Sequence, residues 1–377
     1  MVFRLSQDIG RAIVASPSTE LINALQHLAD SRRCGLNEVL GDRDVLRTVS
    51  RCEHLSKSAR AVYQRLAEMS TRMHNLLYEC AAYVLVTAEP SICRREMSGT
   101  QEQIILSVEF LARGQRLAQQ PALLCENLDD CDFMVWLGIV HGFRMNLPER
   151  IQLSKRNGGG STTAKVYEDI LKSKEELCLC ISDSDLKFEG DTAEGGTACA
   201  LCEVNSCNDS TLACLHILQC HEAENLIPAS VLADVYASDP QKLSAVPDLE
   251  GVQSNEAHQL WRYYDVKNGI RAFEFINSPK LQYIASWTRV FGCASDVKKH
   301  MCRVCPEVGA CEKKAECMDY LAKGFGASVL TDTVREFLTK NSRAEIVRRL
   351  TPRMLAEWEL VGRLIWTWGI AGCNMAA

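Results

Sequence analysis

The chain has 377 residues, of which 47% are hydrophobic and 24% are charged. This balance is typical of a folded protein of two or three domains, and it excludes a chain that is disordered throughout and a collagen-like fibre. The net charge of -6 also excludes a protein that coats nucleic acid by bulk positive charge.

The sequence predicts three regions in chain order. Residues 1–118 are expected to form a helical N-terminal region, because apolar residues recur at helical spacing from Asp44 to Val86 and from Gln101 to Gln119. Residues 119–228 alternate short apolar runs with helical patterns, which predicts an α/β core with a parallel sheet and helices on both faces. Residues 229–377 are expected to be mostly helical, with a last helix that starts at Thr351-Pro352.

Four short apolar segments of the middle region are predicted strands. They are followed by turn-forming or acidic residues, and the predicted strands are Pro121–Glu126, Ile151–Ser154, Leu177–Ile181 and Leu212–Leu218. The acidic stretch Phe188–Asp209, which carries glycines and cysteines, is predicted to be a loop.

Acidic residues follow three of these predicted strands, and they are Glu126 and Asp130, Asp183 and Asp185, and Glu222 and Glu224. Functional groups of parallel sheets gather beyond the carboxyl ends of the strands, so these side chains converge if the strands are neighbours. Clustered carboxylates repel one another unless a cation neutralises them, and oxygen ligands favour Mg²⁺ or Mn²⁺. We expect Asp183 and Asp185 to point to the same side of an extended chain and to share one ion. The alternative is ordinary turn or helix-cap chemistry.

The same residues resemble a TOPRIM domain. The resemblance covers about Pro121 to Ile227 and rests on the order of three motifs: Leu-Leu-Cys-Glu126-x-x-x-Asp130, Ser-Asp183-x-Asp185 and His-Glu222-Ala-Glu224-Asn-Leu-Ile. The sequence is most similar to the TOPRIM-like nucleases of the overcoming-lysogenization-defect proteins and of bacterial anti-phage systems. It departs from that pattern at Asn127, where the family has a glycine after the first glutamate.

The resemblance implies roles for the acidic residues. Glu126, Asp183 and Asp185 would hold divalent metal for phosphoryl transfer, with Glu126 as a ligand or a general acid/base. Asp130 would be the second acid of the nuclease branch, and Glu222 or Glu224 the late acid that completes the metal site. Members of the family often act with an ATPase, fused or separate, so a protein partner of that kind or another defence component is implied.

A glycine run lies between the second predicted strand and the helix that follows it. Backbone N–H groups at such a turn can bind phosphate, and we expect a phosphate site formed by Lys155, Arg156, Gly159, Gly160 and Ser161. The alternative is a flexible turn capped by a hydroxyl group. The run is not a Walker A motif, because the final Gly-Lys-Ser/Thr is missing.

The chain has 19 cysteines and no apparent signal peptide or membrane span, which predicts reduced thiols in the cytoplasm. A cluster at residues 293–317 contains Cys302, Cys305, Cys311 and Cys317, which could bind a structural Zn²⁺. An iron–sulfur cluster and thiols without metal remain alternatives. A second group is a weaker candidate for metal, and it contains Cys199, Cys202, Cys207, Cys214 and Cys220 with His216 and His221.

The sequence therefore predicts a cytoplasmic, Mg²⁺- or Mn²⁺-dependent nuclease that cleaves DNA or RNA and does not bind membranes. The resemblance implies that it is an effector of bacterial anti-phage defence. The alternative is a non-catalytic subunit that binds nucleic acid or protein, with a degenerate TOPRIM scaffold and a structural metal site.

Overall fold

The computed structural model of the chain describes residues 1–113, 115–148, 150–192, 194–254, 259–291 and 320–375. The chain divides into two compact units. The first unit contains Met1–Ile181, Glu203–His216 and Trp358–Ala377, and the second contains Ser182–Cys202 and Ile217–Glu357. These divisions do not coincide with the predicted domain boundaries at residues 118/119 and 228/229.

The N-terminal part of the first unit contains a five-stranded mixed sheet. Its strands are β1 (Val2–Leu5), β2 (Glu38–Gly41), β3 (Ala82–Thr87), β4 (Cys93–Ser98) and β5 (Gln101–Ser107). The spatial order is β2-β1-β3-β5-β4; β1, β2, β3 and β5 run parallel, and β4 pairs antiparallel with β5. The helices of this part are α1 (Gln7–Ala15), α2 (Thr19–Arg33), α3 (Arg43–Ser50), α4 (Lys57–Glu79) and α5 (Val108–Arg113).

The prediction of a helical N-terminal region is therefore confirmed for α3 and α4, which cover most of the stripe from Asp44 to Val86, but it is wrong in omitting the sheet and in the stripe from Gln101 to Gln119. Ile104, Ile105 and Val108 fit a helical stripe by spacing, but Ile104 and Ile105 lie buried in the strand β5. A short apolar run cannot be assigned to a helix or a strand by periodicity alone, and pairing with β3 decides the outcome here.

A second sheet of four strands follows, and its order is β7-β6-β8-β9. Its strands are β6 (Ala122–Cys125), β7 (Ser154–Asn157), β8 (Cys178–Ser182) and β9 (Ala213–Ile217). Strands β7 and β8 both pair parallel with β6, so the chain contains an α/β fold with a parallel sheet flanked by helices. These helices are α6 (Leu128–Arg144), α7 (Thr163–Ser173) and α8 (Thr197–Cys207).

Three of the four predicted strands are confirmed within one or two residues. Strand β7 starts only at Ser154, because Ile151 forms an isolated bridge with Ile370 instead. The prediction of a loop over Phe188–Asp209 is wrong, since helix α8 occupies its second half. The central strands β6 and β8 are buried along their whole length, which explains why both read as continuous apolar runs.

The remaining described residues form mostly helices. They are α9 (Ala229–Val235), α10 (Pro240–Leu243), α11 (Val246–Ser254), α12 (Ala272–Asn277), α13 (Leu281–Phe291), α14 (Val329–Thr333), α15 (Arg343–Arg349) and α16 (Pro352–Gly369). Strands β10 (Gly269–Arg271) and β11 (Tyr320–Lys323) pair antiparallel in a small sheet. None of the helices in the described part of the chain is both long and apolar enough to cross a membrane.

Candidate metal centre

A group of ionisable residues lies in the second unit, where the chain leaves β8. We call it the acidic cluster, and its members are Asp183, Asp185, His221, Glu222, Glu224, Asp265 and Lys267. The segment after β8 runs beside the segment that contains His221. The backbone N–H of Asp185 donates to the carbonyl of His221 at 3.0 Å, and that of Ala223 donates to Asp183 Oδ1 at 2.9 Å. These bonds fix both aspartates next to the two glutamates.

Asn225 attaches the glutamate segment to the third part of the cluster. Its Oδ1 accepts a hydrogen bond from the backbone N–H of Glu222 at 2.8 Å, which starts a short 3₁₀ turn. Its Nδ2 donates to the carbonyls of Trp261 and Tyr264 at 2.6 and 2.7 Å. The buried amide of Asn225 therefore holds Glu222 against the segment that carries Asp265 and Lys267.

Lys267 is the lysine of the acidic cluster. Its Nζ lies 3.0 Å from Glu224 Oε1 and 3.3 Å from Glu222 Oε2, and its backbone N–H donates to Glu222 Oε1 at 3.0 Å. The side chains of Glu222 and Glu224 are only 7% and 1% exposed. The cluster thus holds five carboxyl groups against one lysine and one histidine.

The environment shifts the pKa of Glu222, Glu224 and Lys267. Burial raises the pKa of Glu222, and burial together with the charge of Glu222 raises the pKa of Glu224 to about 8. Burial alone would lower the pKa of Lys267, but the carboxylates of Glu224 and Glu222 raise it above its usual value. Even with its lysine, the cluster is short of positive charge.

His221, Glu222 and Asp265 could hold a metal ion. Each offers one ligand atom, and the three atoms lie within 4.8 Å of one another; within the described ranges this is the one such group. Burial alone would lower the pKa of His221, but the nearby carboxylates, that of Asp265 first among them, raise it. Burial would raise the pKa of Asp265, and its contact with His221 together with the hydrogen bonds from Asn268 reverses that effect.

The backbone at Asp185 differs from the prediction. Its φ is +56°, a left-handed conformation that is uncommon for an aspartate, so Asp183 and Asp185 do not follow the alternation of an extended strand. The expectation that both carboxylates lie on one side of an extended chain is wrong. Asp185 instead lines a cleft of about 600 Å³ in the second unit, together with Lys187, Phe273, Lys280 and Tyr283.

Glu126 and Asp130 lie in the first unit, at the end of β6 and in the first turn of α6. Asp130 is buried and forms a capping box: its Oδ2 accepts from the Asn127 N–H at 2.9 Å, and the Asn127 side chain accepts from the Asp130 N–H. This gives Asp130 a structural role that the prediction of a catalytic acid omitted. Asn127 has φ −133°, so this position does not need the conformational freedom of glycine. A metal ion shared by Glu126, Asp183 and Asp185 stays a prediction.

The glycine run does not support the predicted phosphate site. The Gly159 N–H donates to the Glu126 carbonyl at 2.9 Å and to Asn157 Oδ1 at 3.0 Å, and the Gly160 N–H faces the same carbonyl at 3.4 Å. These donors are used within the chain rather than directed at a ligand. Lys155 pairs with Asp132, Arg156 pairs with Glu176 at 3.1 Å, and Ser161 is exposed at the turn.

The predicted zinc ligands Cys302, Cys305, Cys311 and Cys317 lie outside the described residues. In the second cysteine group, Cys199, Cys202 and Cys207 are exposed on helix α8. They form no three-ligand group of the kind found around His221 in the described part of the chain.

Sequence reasoning found Asp183, Asp185, Glu222 and Glu224 and named His221 only within the weaker cysteine group, and it missed Asp265 and Lys267. Asp265 and Lys267 lie more than 40 residues after Glu222 in a segment without a motif. The one feature of the sequence that could have indicated them is the pair Asp265-x-Lys267 shortly before strand β10. Pairs of this kind are too common in sequences to identify a site. Searches against family models, curated proteins and solved structures found no significant match.

Proposed function

We propose that this protein is a divalent-metal-dependent nuclease that hydrolyses phosphodiester bonds. One observation carries the proposal: five carboxyl groups meet around one lysine and one histidine, at a point where a strand of a parallel sheet ends. A group of this composition is stable when a divalent cation neutralises it. Glu222 and Asp265 would hold the ion with His221, while Asp183 and Asp185 add negative charge beside it.

A Mg²⁺ or Mn²⁺ ion at such a site lowers the pKa of water and stabilises the charge that develops on a phosphate. The residues of the chain supply orientation and charge. The Ala223 N–H fixes Asp183, and Asn225 fixes Glu222. The cleft at Asp185 gives a substrate strand room beside the cluster. It carries the exposed Lys187, and Lys280, which pairs with Asp191 at 2.8 Å.

A second candidate function is that of a non-catalytic binding subunit. Lys267 already pairs with two of the five carboxyl groups, and the N–H donors of the glycine run are used within the chain. Both features would suit a scaffold that has lost its ligands. The resemblance to anti-phage TOPRIM proteins supports a role as a defence effector in either case, with an ATPase or another defence component as partner.

A cleavage assay separates the two functions. Plasmid, single-stranded DNA and total RNA are incubated with the protein and Mg²⁺ or Mn²⁺, and with EDTA as a control. We expect metal-dependent cleavage that Glu222→Gln and Asp183→Asn abolish, while Asp129→Asn, a change of an exposed acid, retains it. Full activity of Glu222→Gln and Asp183→Asn on every substrate would contradict the proposed function.

A further inference from the structure

The acidic cluster contains a nitrogen ligand, which a site built for Mg²⁺ does not need. Mg²⁺ binds oxygen ligands and keeps much of its water, whereas imidazole suits transition-metal ions. His221 lies in the same group as Glu222 and Asp265, with its Nε2 3.9 Å from Asp265 Oδ2. Each ligand atom of a bound ion lies about 2.0–2.6 Å from the ion. Two ligand atoms on opposite sides of an ion can therefore be about twice that distance apart, so the three atoms, which lie within 4.8 Å of one another, can share one ion after small adjustments.

Two further observations point to a ligand at this place. His221 is only 7% exposed, and its Nδ1 has no hydrogen-bond partner among the described residues. Glu224 is 1% exposed, and its Oε2 also lacks a partner in the described part of the chain. Buried polar atoms in native proteins are nearly always satisfied, by protein, water or an ion. Two such atoms beside a three-ligand group point to a cation as their partner.

We propose that His221, Glu222 and Asp265 bind one divalent transition-metal ion such as Mn²⁺, with a ring nitrogen of His221 as a ligand. The inference deepens the proposed function and rests on it, since it names the metal that the same site uses. Glu222 would give one carboxylate oxygen to the ion, while its other oxygen keeps its contact with Lys267. Asp265 is held ready by Asn268, whose backbone N–H donates to its Oδ1 at 2.6 Å.

Nitrogen coordination can be measured without substrate and without activity. Metal-free protein is loaded with one equivalent of Mn²⁺, and electron spin echo modulation detects nitrogen bound to the ion. Mn²⁺ is a useful probe because thiolates, which are plentiful in this chain, favour softer ions. We expect a nitrogen signal in the wild type that is lost in His221→Gln. Mn²⁺ affinity should fall by about tenfold or more, the scale on which metal sites respond to loss of a supporting group.

His216→Gln is the matched control. His216 is partly buried and its Nε2 also lacks a hydrogen-bond partner, but it is not in the three-ligand group. It should keep the nitrogen signal and the Mn²⁺ affinity. Asp265→Asn is a second test: it should weaken Mn²⁺ binding while circular dichroism shows that the fold is kept.

Three results would overturn the inference: no nitrogen signal in wild-type protein that binds Mn²⁺, a signal that persists in His221→Gln, or no Mn²⁺ binding at all. Failure of the proposed function would look different. In that case Mn²⁺ would bind with a nitrogen ligand, but no nucleic acid would be cleaved. Cleavage with Mg²⁺ but without a nitrogen signal would keep the nuclease proposal and reject the histidine ligand.

Discussion

Lys267→Met should destabilise the protein, and added divalent metal should restore part of the lost stability. The substitution keeps an unbranched chain of similar length but removes the ammonium group 3.0 Å from Glu224 and 3.3 Å from Glu222. At these distances each pair has a gross attraction of about 5 kcal/mol at an effective dielectric constant of about 20. Desolvation offsets much of this, and removing one partner of a buried pair costs about 3–5 kcal/mol. We expect a loss of about 3 kcal/mol.

The loss should depend on pH. Without Lys267, Glu222 and Glu224 are buried beside each other with raised pKa values, so the folded state binds protons more readily than the unfolded state. Stability from such groups is present below the unfolded pKa and is lost as the pH rises through the folded pKa. The destabilisation should therefore be larger at pH 8 than at pH 5. The wild type should show less of this dependence, because Lys267 opposes the rise in both pKa values.

The assay is thermal unfolding at pH 5 and pH 8, with EDTA or with Mn²⁺. A loss of about 3 kcal/mol corresponds to roughly 6–12 °C in the Tm of a unit of this size. Mn²⁺ at 100 times its Kd would return about 2.7 kcal/mol. Lys340→Met is the control, because Lys340 is 61% exposed and pairs with Glu336 at the surface. An unchanged Tm of Lys267→Met at pH 8, or a variant that does not respond to Mn²⁺ when the wild type does, would refute the reasoning.

Three further predictions concern other residues. Asp130→Ala should destabilise the chain by about 1 kcal/mol through loss of the cap of α6, measured by urea unfolding, whereas an unchanged midpoint would contradict the structural role. Burial lowers the pKa of His141 to about 4, so the stabilisation by its neutral ring is present above the unfolded pKa and is lost as the pH falls from about 6.5 towards 4. His141→Gln should therefore flatten the dependence of the Tm on pH in this range. An unaltered pH dependence would argue against the shifted pKa. Iodoacetamide should modify three exposed cysteines of the native protein, Cys199, Cys202 and Cys207. It should spare Cys178 and Cys180, because they are buried and burial raises the pKa of both thiols. Equal labelling of the two groups in peptide mass spectrometry would show that Cys178 and Cys180 are not buried.

The parallel sheet could be predicted from the sequence because its central strands are buried on both faces. Continuous apolar runs such as Ala122–Cys125 and Cys178–Ser182 stand out between helical patterns. The N-terminal sheet could not, since β5 runs directly into α5 and their apolar residues together imitate a helical stripe. Helix α8 was hidden by the glycines and acidic residues that precede it.

The acidic cluster was predictable only in part. Asp183 follows β8 directly, and Glu222 and Glu224 lie in the segment that follows β9, so their order after strands can be read from local sequence. Lys267 and Asp265 reach the cluster through the contacts of Asn225 with Trp261 and Tyr264. Contacts between distant segments of this kind leave no periodic pattern in one sequence. The positive φ of Asp185, whose N–H donates to the distant His221 carbonyl, likewise leaves no pattern in the sequence.

The central claim is that the acidic cluster performs metal-dependent hydrolysis of a phosphodiester. Its most direct test is the single-turnover rate of nucleic-acid cleavage as a function of free Mn²⁺, for the wild type and for Asp183→Asn, whose amide oxygen can still accept from Ala223. We expect the wild-type rate to rise with Mn²⁺ to saturation and to fall to background in EDTA. The rate of the variant should be lower by about 100-fold or more, which corresponds to about 3 kcal/mol of lost transition-state stabilisation. Equal rates for the two proteins, or cleavage that persists in EDTA, would contradict it.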